Sequence, residues 1–201
     1  KLNYGNKGGG NIALYSWILK KHKSLYATII NIYMIDVYDD YLDKDVFLKI
    51  QEVFLSAHIP WFKNSTLVDE PDIIDETWNY QFTHTFYRDF APQSELLKII
   101  DPLLIKINPA ALIRVKANLI PKTHNIHQHQ WHVDNGDIQG ATTAIFYINT
   151  NNGSTVFKTG EKIESKENRL VVFPASTVHT GTSCNNAQIR CLINLNYFKR
   201  S

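Results

Sequence analysis

Apolar residues recur at two different periods along this chain, and the change falls near residue 110. Upstream, Val46, Phe47, Ile50, Val53 and Phe54 repeat at helical spacing and stop before Pro60. This predicts an amphipathic helix, with the acids of YDDYLDKD placed to cap its start. A second helical pattern runs through Leu96, Leu97, Ile100, Leu103 and Leu104, where Pro102 should kink or divide the helix and Pro109 end it. Ahead of both, Ile29 to Val37 reads as a β-branched strand. From Ala111 onward the period is two. Ile113, Val115, Ala117 and Leu119 share one face and Arg114, Lys116 and Asn118 the other. The pattern returns near the end, where Ile189, Cys191, Ile193, Leu195 and Tyr197 oppose Arg190, Leu192, Asn194 and Asn196.

Between these strands, Ala141 to Asn149 and Ser154 to Phe157 flank Asn151-Asn152-Gly153, a hairpin signal, and Leu170 to Phe173 reads as a short buried strand. Many short strands with turn signals predict a mainly β fold with flanking helices, a sandwich or jelly roll. Packing the apolar faces against the two helices turns the polar faces, with Asn118 and Arg190, into the barrel mouth, where ligands bind. The aromatic segment from Trp61 to Phe90, with His84 and Arg88 within it, is either core or a lid over that mouth.

A chain of 201 residues, 44% of them hydrophobic, is long enough for one sizeable core. No second domain, internal repeat or low-complexity tract is visible, so residues 28–201 are expected to form a single domain, with 1–27 an extension of no assigned function. The formal charge of +2 gives no electrostatic reason for nucleic acid or an anionic membrane as partner. The uncharged stretch Ser24 to Ile35, which no other near the start exceeds, falls short of the roughly 20 residues that cross a bilayer. Cys184 and Cys191 make no disulfide framework and read as reduced thiols of a cytoplasmic protein. Oligomeric state is not legible.

The chemistry-bearing residues lie in WHVDNGD, FPASTVHTGT and QIRCLINLNYF. His132 and Asp134, two apart on a strand, project to one face; with His179 they make the two-histidine, one-carboxylate set that holds Fe(II) and leaves its other face open. His127 and His129 offer a competing set with Asp134, like the first metal motif of cupins, in which His132 is a bystander and the protein does not use a keto acid. With His132 chosen, His124, His127 and His129 become a solvated approach loop. Trp131 then faces away from the ligands and should pack. Arg190 sits on the polar face of an otherwise apolar strand. Its charge calls for a protein acid or a ligand carboxylate, and no acid occurs between Asn168 and Ser201.

In order and spacing these residues resemble the iron(II) and 2-oxoglutarate dependent oxygenases. Their motif is HxD, a span of roughly fifty residues, a histidine, and a basic residue about ten further on; here His132-Val133-Asp134 is followed by 44 residues, His179, and then Arg190 eleven positions later. Within that superfamily the chain is most similar to small prolyl-4-hydroxylase-like proteins of bacteria and phages, many of which carry lysine where Arg190 stands. The resemblance covers roughly residues 110–199. It implies a double-stranded β-helix, the cupin-like jelly roll, with N-terminal buttressing helices. It further implies Fe(II) held by His132, Asp134 and His179, with 2-oxoglutarate as cosubstrate and O2 as oxidant. Arg190, helped by Asn118 and Tyr147, would hold the far carboxylate of 2-oxoglutarate. The implied activity is hydroxylation of a small-molecule or peptide substrate, with a prolyl or other peptidyl residue as a candidate, and release of succinate and CO2. A non-catalytic interaction domain and a nucleic-acid repair demethylase are other readings. The intact triad argues against the first and the lack of a clear second downstream arginine against the second.

Overall fold

The computed structural model describes residues 35–64, 78–134 and 138–200. The expected extension over 1–27, most of the strand begun at Ile29, and residues 65–77 of the aromatic segment lie outside them. The residues from Ile35 onward form one compact unit.

Among the described residues, two sheets face each other. The larger has eight strands in the order β1 (Asp36–Tyr38), β9 (Leu170–Pro174), β6 (Thr142–Tyr147), β11 (Ile189–Phe198), β5 (Ala111–Pro121), β3 (Gln81–Arg88) and β2 (Phe62–Asn64), with β4 (Ala91–Pro92) also pairing with β3. The smaller has β10 (His179–Gly181), β7 (Ser154–Phe157) and β8 (Lys162–Glu164). All pairings are antiparallel. This is the mainly β, double-stranded β-helix architecture with flanking helices.

Both helical patterns form. The first is α1 (Lys44–Leu55), with Asp43 at its N-cap position but making no side-chain capping hydrogen bond, and with Phe47, Ile50 and Phe54 buried. The second is divided at its proline: a 3-10 turn over Glu95–Ile100, capped by the Ser94 side chain, passes into α2 (Asp101–Ile107), where Pro102 occupies the first turn. Proline is tolerated there because its missing N–H would have no helical partner. Both helices cover the outer face of the large sheet. Phe47, Phe54 and Leu103 pack with Val115, Ala117, Phe146, Cys191, Ile193 and Leu195. The alternate residues point inward, and only some are apolar: Ile145, Tyr147, Val171, Phe173 and Leu192 meet Phe157 of the small sheet. The period-two pattern thus separates a dry outer core from a mixed interior, as the pleat requires.

The Asn151-Asn152-Gly153 signal does not make a hairpin. β6 has both edges taken by β9 and β11, so the chain after it cannot fold back beside it. It crosses instead to the small sheet. Asn151 Oδ1 accepts from the Gly153 amide, and the Asn152 amide donates to Asn186, fixing the crossing. A Cβ on Gly153 would lie 2.6 Å from Arg190 Cδ and 2.9 Å from the Ser183 carbonyl, so the crossing passes too close for any side chain. Both cysteines are free and buried. No helix among the described residues is long and apolar enough to cross a membrane.

Candidate metal centre and the cavity around it

β10 and the segment before Asp134 bring the triad together. His132 and His179 are mutual antiparallel partners: each backbone amide donates to the other's carbonyl, at 2.9 and 3.0 Å. That pairing sets their rings 4.5 Å apart. His132 Nδ1 lies 3.2 Å from the Gln130 carbonyl and His179 Nδ1 2.9 Å from that of Thr177. A carbonyl only accepts, so each Nδ1 carries the proton and each Nε2 keeps its lone pair for a metal. With an Asp134 carboxylate oxygen, the donor atoms of the three residues lie within 4.8 Å of one another. Two imidazole nitrogens and one carboxylate oxygen on one side of a cavity are the donor set that ferrous iron takes.

The large sheet holds Asp134 in place. Arg114, Asn196 and Thr143 form one row of cross-strand partners on β5, β11 and β6, and Asn194 lies two residues earlier on β11. Arg114 Nη2 donates to Asp134 Oδ1 at 3.0 Å and Asn194 Nδ2 to Oδ2 at 2.8 Å. Arg114 is itself aimed by Asn196 Oδ1, and Asn196 donates to Thr143. Burial pushes the Asp134 carboxyl up, but His179, Arg114 and the Asn194 bond outweigh it and hold the group below its ordinary range. The Asp134 oxygen nearer His179 Nε2, at 3.7 Å, is the one Asn194 orients. No motif in the sequence marks these supporting residues, although the period-two pattern places Arg114, Asn194 and Asn196 on the inward face.

A cavity of about 300 Å³ lies over the triad and is also lined by Asn118, His129, Thr155 and Arg190. Arg190 is 1% exposed. Its Nε donates to Ser165 Oγ at 2.8 Å and its Nη2 to Thr155 Oγ1 at 3.3 Å, and the guanidinium lies 5.6 Å from the centre of the Tyr147 ring. No carboxylate pairs with it among the described residues. Burial accordingly pulls its affinity for the proton below the ordinary arginine level. Asn118 presents a buried Oδ1 without a partner among the described residues. Tyr147 is fully buried and does not line the cavity; its hydroxyl is 2.7 Å from Thr155 Oγ1, so it touches the cavity through Thr155.

The approach loop is not uniformly solvated. His124 is exposed, but the His127 ring stacks on Trp78 at 4.3 Å, and His129 is buried at 6% exposure against the cavity. Neither joins the metal donor cluster, so the cupin-like set is not favoured. Trp131 does not pack in the core. It is exposed, with Lys158 Nζ 4.8 Å above its ring. The aromatic segment divides: Phe86 and His84 are core, whereas Asn64 and Gln81 line the cavity and Trp78 packs on the histidine loop.

No family model and no curated protein matches this sequence. Solved structures do match the fold. An oxidoreductase of the 2OG-Fe(II) oxygenase family from Burkholderia pseudomallei superposes with a TM-score of 0.58 at 12% identity, covering 97% of this chain and 93% of its own. A prolyl hydroxylase from Trichoplax adhaerens, in complex with a hypoxia inducible factor oxygen degradation domain peptide fragment, gives 0.56 at 15% identity over 91% and 93%. The non-heme alpha ketoglutarate dependent epimerase SnoN from nogalamycin biosynthesis gives 0.58 at 12% identity over 82% and 77%, and a second SnoN structure holds Fe3+ and alpha ketoglutarate. At these identities the likeness is one of fold: the chain is built on the double-stranded β-helix of the iron(II) and 2-oxoglutarate oxygenases, with a His132, Asp134 and His179 donor set that fits iron.

Proposed function

We propose that this protein is an Fe(II)- and 2-oxoglutarate-dependent dioxygenase that hydroxylates a peptide substrate, with a prolyl residue as the first candidate. The balance is 2-oxoglutarate, O2 and R–H going to succinate, CO2 and R–OH. Bound iron would supply the activation of oxygen. His132, Asp134 and His179 hold it from one side, leaving coordination positions for the cosubstrate. Arg190 holds the far carboxylate of 2-oxoglutarate, and Asn118 faces the same space with an amide. Tyr147 acts through Thr155, whose hydroxyl it orients toward the guanidinium. The observation that carries the reading is Arg190: a fully buried guanidinium with two neutral hydroxyls and no carboxylate among the described residues, beside a metal-binding triad. A buried charge of this kind is retained where a ligand neutralises it.

The peptide assignment rests on the resemblance to prolyl hydroxylases and on the fold shared with a hydroxylase that binds a peptide fragment. We take residues 28–201 as one oxygenase domain, and the two free thiols fit the cytoplasm. The test is anaerobic addition of 2-oxoglutarate to the Fe(II) protein, followed by oxygen and assay of succinate with proline-containing peptides, free amino acids and oligonucleotides. A weak visible charge-transfer band and peptide-stimulated succinate are expected. Iron binding with neither band nor succinate would overturn the assignment; succinate stimulated by another substrate class would overturn only the peptide.

A further inference from the structure

His129 is a histidine whose ring nitrogens find no hydrogen-bond partner among the described residues. Its main chain is fixed to β10, since its amide donates to the Gly181 carbonyl at 3.0 Å and its carbonyl accepts from Thr180 Oγ1 at 2.9 Å. Its ring is positioned by packing, with the Trp78 ring 5.7 Å away. The side chain lines the cavity, yet among the described residues neither Nδ1 nor Nε2 has a hydrogen-bond partner. Leaving a buried polar group unpaired costs on the order of 1–3 kcal/mol, so two such nitrogens on one cavity-lining ring call for a ligand.

The surroundings say which ligand. His129 stands outside the metal donor cluster. A Cβ built on Gly181 would lie 3.3 Å from Arg190 Nη1 and 3.9 Å from His129 Cδ2, so guanidinium and imidazole border the same point of the cavity wall. Only a glycine leaves that point open. Burial, then the charges of Arg190, His127 and His132, hold the His129 pKa down at about 3, so the ring is neutral and carries one N–H. A neutral donor beside a buried cation suits an anion, because a second cation there would be repelled.

Building on the oxygenase reading, we propose that His129 donates an N–H to the distal carboxylate of 2-oxoglutarate, sharing it with Arg190, and so helps select a dicarboxylic keto acid over a shorter one. The experiment compares wild type, His129→Leu, His129→Gln and Arg190→Ala as anaerobic Fe(II) proteins. Each is titrated with 2-oxoglutarate and with 2-oxobutyrate, which chelates in the same way but has no distal carboxylate, and Fe(II) affinity is measured without keto acid.

A hydrogen bond to a charged group is worth about 1.5–3 kcal/mol, which converts to roughly ten- to hundredfold in affinity. His129→Leu should weaken 2-oxoglutarate by that factor, leave 2-oxobutyrate within about twofold, and leave Fe(II) affinity alone. His129→Gln, which keeps a donor, should recover part of the loss. Unchanged 2-oxoglutarate affinity in His129→Leu, or an equal loss for both acids, overturns the role of His129. If Arg190→Ala weakens 2-oxoglutarate in that same experiment, the oxygenase reading survives; if wild type gives no band with 2-oxoglutarate, the reading itself falls.

Discussion

Replacing Arg190 by methionine separates two accounts of a buried charge, because they predict losses of stability of very different size. Without ligand, Arg190 donates to Ser165 and Thr155 and meets no carboxylate among the described residues. Removing it deletes an uncompensated charge, and methionine refills much of the volume. The hydroxyls lose one partner each, but Thr155 keeps Tyr147, so the net cost is on the order of 1 kcal/mol. For a chain of this length that is roughly 2–4 °C in Tm. The cosubstrate sees a larger effect. Losing one partner of a buried charge pair costs about 3–5 kcal/mol, which is roughly a hundredfold to a few thousandfold in affinity for 2-oxoglutarate. The assays are thermal unfolding of the metal-free protein and anaerobic titration of the charge-transfer band. A Tm loss of roughly 6–20 °C, the same 3–5 kcal/mol taken from the folded state, with 2-oxoglutarate affinity unchanged, would show that a protein acid neutralises Arg190.

His132→Ala, Asp134→Ala and His179→Ala should each abolish stoichiometric Fe(II) binding, read by equilibrium dialysis, while His127→Ala retains it, since three donors leave no spare. Asn194→Ala removes the 2.8 Å bond that aims Asp134 Oδ2 and should weaken Fe(II) about ten- to hundredfold, with the fold intact by circular dichroism. Gly153→Ala forces a methyl to within 2.6 Å of Arg190 Cδ and should cost about 1–3 kcal/mol in denaturant unfolding while weakening 2-oxoglutarate. Asp39, on the loop after β1, accepts from Arg169 and Lys166, which hold its carboxyl at about 2 against an ordinary 3.8. A depressed carboxyl stabilises the fold above the ordinary value and loses that contribution as pH falls through the lower one. Asp39→Asn should therefore lower Tm slightly at neutral pH, by under about 1 kcal/mol for so exposed a pair, and the gap to wild type should close between about pH 4 and 2.

What the chain determined by itself is local. Alternation of apolar and polar residues over 111–119 and 189–197 assigned each side chain to a face, because successive residues of a strand must point opposite ways. A strand reading of His132-Val133-Asp134 put both ligands on one side; the structure has only an isolated β-bridge at His132 and no strand over 132–134, yet the donors still converge, and the spacing to His179 and Arg190 made the set readable without partners being known. Pro102 marked the break between the 3-10 turn and α2 for an equally local reason. Other features depended on which strands become neighbours, and no local rule contains that. Asn151-Asn152-Gly153 looked like a hairpin until β9 and β11 had occupied both edges of β6. Asp134 finds Arg114 twenty residues away and Asn194 sixty away only once β5, β6 and β11 lie in register. His129 looked solvated in a polar, histidine-rich loop. Its burial follows from pairing with Gly181 and packing against Trp78, contacts between segments far apart in the chain that exist only when the small sheet closes over the large one.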